Sequence, residues 1–172
     1  MLGGTRSGKS RFGLERALAL AKGQPVTYLA TARPGDEELD ARIAGHRRAR
    51  PTDWPTIEVG RDLAAPIRTC PPARTVLLDG LTLWLSTVTN HGSTVDVEAI
   101  LDGPVADALA AITERRAPVV VVSDEIGLGI VPIGASTRAF RDLLGITHQR
   151  IAAIADEVHF MVAGLPLTLR DR

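Results

Sequence analysis

The stretch Gly3-Gly4-Thr5-Arg6-Ser7-Gly8-Lys9-Ser10 constrains this chain more than any other. It fits the pattern G-x-x-x-x-G-K-[ST], in which glycines let the backbone curl around phosphate oxygens, the lysine reaches the outer phosphates and the last hydroxyl helps hold Mg²⁺. A helix should start there. Residues 11–22 place Phe12, Leu14, Ala17, Leu18 and Ala21 at roughly helical spacing, so the helix start points backbone N–H groups and a positive dipole end at the phosphates. Lys9 and Lys22 are the only lysines among the 20 basic residues. A chain that otherwise uses arginine keeps a lysine where a compact cation on a flexible stem suits a phosphate. The plainer alternative is a chance glycine-rich loop.

A phosphate cradle normally follows a buried central strand, yet only Met1 and Leu2 precede Gly3. Two residues are too few for a strand. The expectation is therefore that the true start lies upstream, the alternative being a sheet without most of its middle strand. If the start is genuine, apolar neighbours lose their cover and poor stability follows.

At 172 residues the chain suits one nucleotide-binding domain, residues 1–172, with a core of Ala, Val, Leu and Ile, since 45% of residues are hydrophobic and only 3% aromatic. The formal net charge of zero argues against a general affinity for nucleic acid or anionic membrane. With Cys70 the single cysteine, no intramolecular disulfide can form and a reducing cytoplasm fits. No apolar run approaches the roughly 18 residues of a membrane span.

Taken in order, 26–31 reads as a buried strand, and Thr31-Ala32-Arg33-Pro34-Gly35 as a turn at the sheet edge where ligands gather. A helix over 36–48 puts Leu39, Ile43 and His46 on one inward face. Arg47, Arg48 and Arg50 crowd around that histidine, and together they could hold a polyphosphate beside an imidazole nucleophile. The bland alternative is a solvated basic helix end. Residues 57–59 read as a short edge strand and 62–69 as a short helix. Residues 75–79 read as a buried strand ending in Asp79, a carboxylate placed to orient Mg²⁺ or its water. Helix is expected over 95–116 with a break at Gly103-Pro104, and 118–123 is the clearest buried parallel strand, ending in Asp124-Glu125. The apolar, glycine-rich loop 125–132 suits a binding wall. A last helix over 137–155 and strands at 157–162 and 165–169, paired as a hairpin, close the sheet. This alternation predicts an α/β fold, a three-layer P-loop sandwich of the RecA-like kind with a mainly parallel central sheet and a truncated first strand.

The chain resembles the bifunctional adenosylcobinamide kinase / adenosylcobinamide-phosphate guanylyltransferase family of cobalamin biosynthesis. The resemblance rests on the cradle, on Ala41-Arg42-Ile43 with His46, Arg50-Pro51 and Trp54, and on Glu125-x-Gly127-x-Gly129-Ile130-Val131-Pro132. Phe140-Arg141-Asp142 with Gly145 and Gln149, and Ala155-Asp156-Glu157-Val158, complete it. It implies phosphorylation of the aminopropanol hydroxyl of adenosylcobinamide by ATP or GTP, then transfer of GMP from GTP through a guanylylated histidine, with His46 in that position and Lys9 serving the phosphates. By the same resemblance the nucleotide contacts fall on Gly3, Gly4, Thr5, Arg6, Ser7, Gly8, Lys9, Ser10, Thr31, Ala32, Arg33, Arg47, Arg48, Ala49, Arg50, Glu58 and Asp79. Mg²⁺ falls to Ser10 and Asp79, and a homotrimer is implied. Gly45 stands where some relatives have a second histidine, Asp79 where Glu is frequent, and His148 where Asn is expected. Two rival readings remain at this stage: another small-molecule P-loop kinase without a histidine adduct, and a GTP-binding regulatory protein. The latter usually reads guanine with Asn-Lys-x-Asp, which this chain lacks.

Overall fold

A computed structural model describes residues 1–32, 35, 37–89 and 95–172, without the side chains of residues 38, 39 and 42. Seven strands form one sheet in the order β3-β2-β4-β5-β1-β6-β7. They are β1 (Leu2–Gly3), β2 (Thr27–Ala30), β3 (Thr56–Glu58), β4 (Val76–Asp79), β5 (Val119–Asp124), β6 (Glu157–Val162) and β7 (Leu165–Asp171). Every pairing is parallel except the β6–β7 hairpin. The helices are α1 (Lys9–Ala21), α2 (Glu37–Ala49), α3 (Ala64–Thr69), α4 (Leu81–Thr89), α5 (Val97–Ile100), α6 (Ala106–Thr113) and α7 (Ala135–Ile154). The expected layered, mainly parallel α/β architecture is the one observed.

Period-two alternation in buried strands creates the layers, since successive side chains leave opposite faces. On one face Leu77, Val120 and Val122 pack with Ala17 and Ala21 of α1 and with Val26, Tyr28 and Trp54. On the other, Val76 and Leu78 meet Ile67 of α3, Trp84 and Leu85 of α4, Ala108 and Ala111 of α6, and Leu143 and Leu144 of α7.

Two expectations need correction. Residues 2–3 do form a strand: Leu2 pairs with Ser123 on β5 and Phe160 on β6, and Gly3 with Asp124 and Met161. A short segment holds its place because both neighbours lend it a ladder. Beside Met1 and Leu2, where the gap between β5 and β6 continues, lies a cavity of about 430 Å³ walled by Val119, Val121, Val158 and Ile151. At Gly103-Pro104 the helix does not break. It widens into a π turn over Leu101–Val105 between α5 and α6. Proline removes a backbone donor and crowds the preceding turn, and Arg150 donates to the Leu101 carbonyl at 2.7 Å, so that oxygen is satisfied.

Candidate active site

The parallel strands β1, β2, β4 and β5 all end at one edge, and there the chain opens a cleft of about 360 Å³. Its floor is the loop from β1 to α1. Ser7 N–H donates to the Gly4 carbonyl at 3.2 Å and Phe12 N–H to Gly8 at 3.0 Å. Gly8 stands at φ +93° with Gly164 Cα 3.2 Å from where a Cβ would project, so neither its backbone nor its space admits another residue. Gly164 N–H donates to the Ser7 carbonyl at 3.0 Å, so the turn of the β6–β7 hairpin props the cradle from outside. The Ser7 hydroxyl is buried and, among the described residues, has no hydrogen-bond partner.

Asp79 is where the parts meet. Its Oδ1 accepts from Ser10 Oγ at 3.2 Å, while Oδ2 accepts from Tyr28 OH at 3.1 Å and lies 2.8 Å from His46 Nδ1. Burial by itself would raise this carboxyl, but hydrogen bonding and charge from His46, with Tyr28 and Ser10, hold it below the usual carboxylate range. Burial and then the Asp79 charge push the Tyr28 phenol well up, so it stays a protonated donor. Arg50 stacks on the Tyr28 ring, 4.0 Å from its centroid, which holds that guanidinium at the cleft wall. Thr31 Oγ1 donates to the carbonyls of Asp79 and Gly80 at 3.2 and 2.8 Å, locking β2 to β4 at this edge.

Lys9 lies across the cleft, its Nζ 2.6 Å from Asp124 Oδ1 and donating to the Gly4 carbonyl at 3.3 Å. A line of hydroxyls stands behind Asp124. Its N–H donates to Thr82 Oγ1 at 3.0 Å, Thr82 Oγ1 is 3.2 Å from Ser123 Oγ, and Ser123 Oγ is 2.7 Å from Nε2 of the buried His148.

The cleft therefore brings together Thr5, Lys9, Ser10, Thr31, Ala32, His46, Arg50 and Asp79. Arg6, Arg47, Arg48 and Ala49 are exposed and do not line it, nor does Glu58, which sits exposed at the end of β3 beside Ala30. Arg33 lies outside the described residues. Tyr28, Thr82, Ser123 and Asp124 also line the cleft, although nothing in the sequence reading placed them in the site. Asp124 carried the same signal as Asp79, an acid at the end of a buried strand. Tyr28 carried none, since an aromatic in a strand reads as core.

A glycine-rich cradle opening a helix, faced by acids at the ends of adjacent parallel strands, defines a P-loop nucleotide-binding protein. More particularly, residues 1–169 match the model of the family described as cobinamide kinase / cobinamide phosphate guanyltransferase, and the chain belongs to that family. It is 43% identical over 171 residues to the bifunctional adenosylcobalamin biosynthesis protein CobP of Pseudomonas aeruginosa, covering 99% of this chain and 95% of that one. It is also 36% identical to the bifunctional CobU protein of Salmonella typhimurium and 34% identical to that of Escherichia coli, each match covering 98% of this chain and 97% of the relative.

Proposed function

We propose that the chain, acting as a single nucleotide-binding domain over residues 1–172, phosphorylates adenosylcobinamide with ATP or GTP. It then moves GMP from GTP onto the new phosphate through His46, giving adenosylcobinamide-GDP. One observation carries this reading: Asp79 joins His46 Nδ1 at 2.8 Å and the cradle's Ser10 Oγ at 3.2 Å, so one carboxylate ties an imidazole to a phosphate site. A plain P-loop kinase has no use for that histidine.

In the guanylyl half-reaction Nδ1–H donates its hydrogen bond to the Asp79 carboxylate, which leaves the lone pair of the neutral ring on Nε2. Nε2 attacks the α-phosphorus, a P–N bond forms, the bond from that phosphorus to the bridging oxygen breaks, and pyrophosphate leaves. A phosphate oxygen of the acceptor then displaces the imidazole, restoring His46. Asp79 stabilises the imidazolium character that develops on attack. Lys9 and the cradle amides stabilise the negative charge on the phosphates. In the kinase half-reaction the same cradle holds the triphosphate while a hydroxyl of adenosylcobinamide attacks the terminal phosphorus. The partnerless Ser7 hydroxyl is one group that a phosphate oxygen would satisfy.

Ser10 Oγ and the Asp79 carboxylate are hard oxygen donors side by side, and they fit Mg²⁺ completed by substrate phosphates and water. Bound there, the ion would neutralise phosphate charge. Among the described residues no helix is long and apolar enough to cross a membrane. A cytoplasmic setting and a homotrimer accord with the single cysteine and with the family resemblance.

The test is intact mass after incubation with GTP and Mg²⁺. The parent should gain one GMP and His46→Ala none. A folded, GTP-binding parent that gains nothing overturns the guanylyltransferase half and leaves a P-loop kinase.

A further inference from the structure

Among the described residues three carboxylates line the cleft, Asp79, Asp124 and Glu125, and they are not equivalent. Asp79 is taken up by His46, Tyr28 and Ser10. Asp124 is neutralised by Lys9 at 2.6 Å. Glu125 lies one residue beyond, at the end of β5, with its backbone N–H donating to the Gly3 carbonyl at 3.0 Å, which fixes it to the strand that carries the cradle. Its Oε1 accepts from Gly127 N–H at 2.5 Å. A Cβ at Gly127 would come within 2.8 Å of that oxygen, so the glycine lets the loop fold over the carboxylate. Its Oε2 faces Nδ1 of His148 at 3.8 Å.

Burial keeps the His148 ring neutral, more than the nearby Glu125 and Asp124 charges favour its protonation. Ser123 Oγ lies 2.7 Å from Nε2 and Nδ1 faces Glu125, and with the ring's proton on Nδ1 the Ser123 hydroxyl would donate to Nε2. Glu125 is thus held in place through Oε1 and its backbone, and among the described residues its Oε2 meets no cation or strong donor, unlike the carboxylates of its two neighbours. Immediately after it the chain displays Ile126, Leu128, Ile130 and Val131 to solvent, with Ile130 97% exposed. A carboxylate at the foot of an apolar loop suits an acceptor that is large and mostly apolar but reacts through one hydroxyl.

We propose that Glu125 is the catalytic base of the phosphoryl-transfer half-reaction. As the acceptor hydroxyl oxygen attacks the terminal phosphorus, the new O–P bond forms and the bond from that phosphorus to the bridging oxygen breaks. The nucleoside diphosphate leaves with that electron pair, and the hydroxyl proton passes to Glu125 Oε2. His46 has no part in this step, so the two half-reactions place their base and their nucleophile on opposite walls of one cleft. The inference rests on the bifunctional reading above.

Glu125→Gln is the informative variant, because the amide oxygen still accepts from Gly127 and the loop keeps its shape. Phosphate transfer to adenosylcobinamide and His46 guanylylation are measured on parent and variant side by side. The variant should lose about 10²- to 10⁴-fold in the kinase kcat, the usual worth of a positioned base, with little change in the KM for the triphosphate. The ratio of guanylylation rate to kinase rate should rise by a similar factor. A kinase kcat within about threefold of the parent overturns the proposal, and so does an equal fall in both activities, which would mark Glu125 as a support for the whole cleft. The parent's own two rates report on the bifunctional reading, and only the variant-to-parent ratio reports on Glu125.

Discussion

The two ends of β1 differ as much as any two regions of the molecule. Past its carboxyl end, polar groups are paired at fixed distances: Lys9 with Asp124, Ser10, Tyr28 and His46 with Asp79, and the cradle loop with the hairpin turn at Gly164. At its amino end the sheet is open, and a cavity of about 430 Å³ separates β5 from β6. The site's partners come from around β1, since β4 and β5 supply the acids and the hairpin supplies the prop. Where the sheet is open, packing is what is lost. The comparison implies that changes at the carboxyl edge alter chemistry with little effect on stability, and changes at the cavity do the reverse.

Lys9→Ala tests the first half and should give the largest effect. Removing a preorganised cation from the phosphates should cost on the order of 10²- to 10³-fold in both half-reactions. Stability should move by no more than about 1 kcal/mol, since Asp124 is partly exposed and loses only a screened partner. Enzyme assay and chemical denaturation on the same preparation check both numbers. A loss of stability as large as the loss of rate would break the comparison.

Val120→Ala tests the other half. Val120 is 5% exposed, packs with Ala17 and Leu77, and lines the cavity. Truncation there enlarges a space that its walls already fail to close, so a loss of about 1–3 kcal/mol is expected by denaturant melt. The kcat of either half-reaction should stay within about twofold, because Val120 does not line the cleft. A large fall in kcat at unchanged stability would show that the two ends are mechanically joined.

The difference between the ends also bears on what could be read from the chain. The cradle was legible because phosphate binding demands glycines, a lysine and a hydroxyl at fixed local spacing. His46 was legible as a helix position among arginines, but not its partner, since α2 and β4 meet only through the sheet order and 33 residues separate His46 from Asp79. Glu58 came from family resemblance and lies exposed on the edge strand. A truncated first strand was expected, but that residues 2–3 would still pair was not, because strand length was judged from the chain alone, whereas the hydrogen bonds come from β5 and β6 on either side. Pro104 read as a break because a proline signals one locally, whereas the turn it sits in is also held by Arg150 from a distant helix, at the Leu101 carbonyl. Local chemistry showed itself, and whatever depended on a partner far along the chain did not.

His148 stands between the two regions, with Ser123 toward the cleft and the cavity on its other side, and it sharpens the comparison by pH. Burial lowers its folded pKa, aided by the Met1 amino group and opposed by Glu125 and Asp124. The folded ring therefore stays neutral where the unfolded ring, titrating near its ordinary value of 6.5, takes up a proton. Proton uptake by the unfolded chain means that stability is full above that value and falls as pH drops from 6.5 toward the folded pKa. Each unit of separation corresponds to about 1.4 kcal/mol, so this should be the smallest of the three effects. Melting temperature followed downward should decline more steeply below about pH 6.5, and His148→Gln should lose that added decline. If the variant declines just as the parent does, the acid sensitivity belongs to other groups, and His148 does not link the cleft to the open end of the sheet.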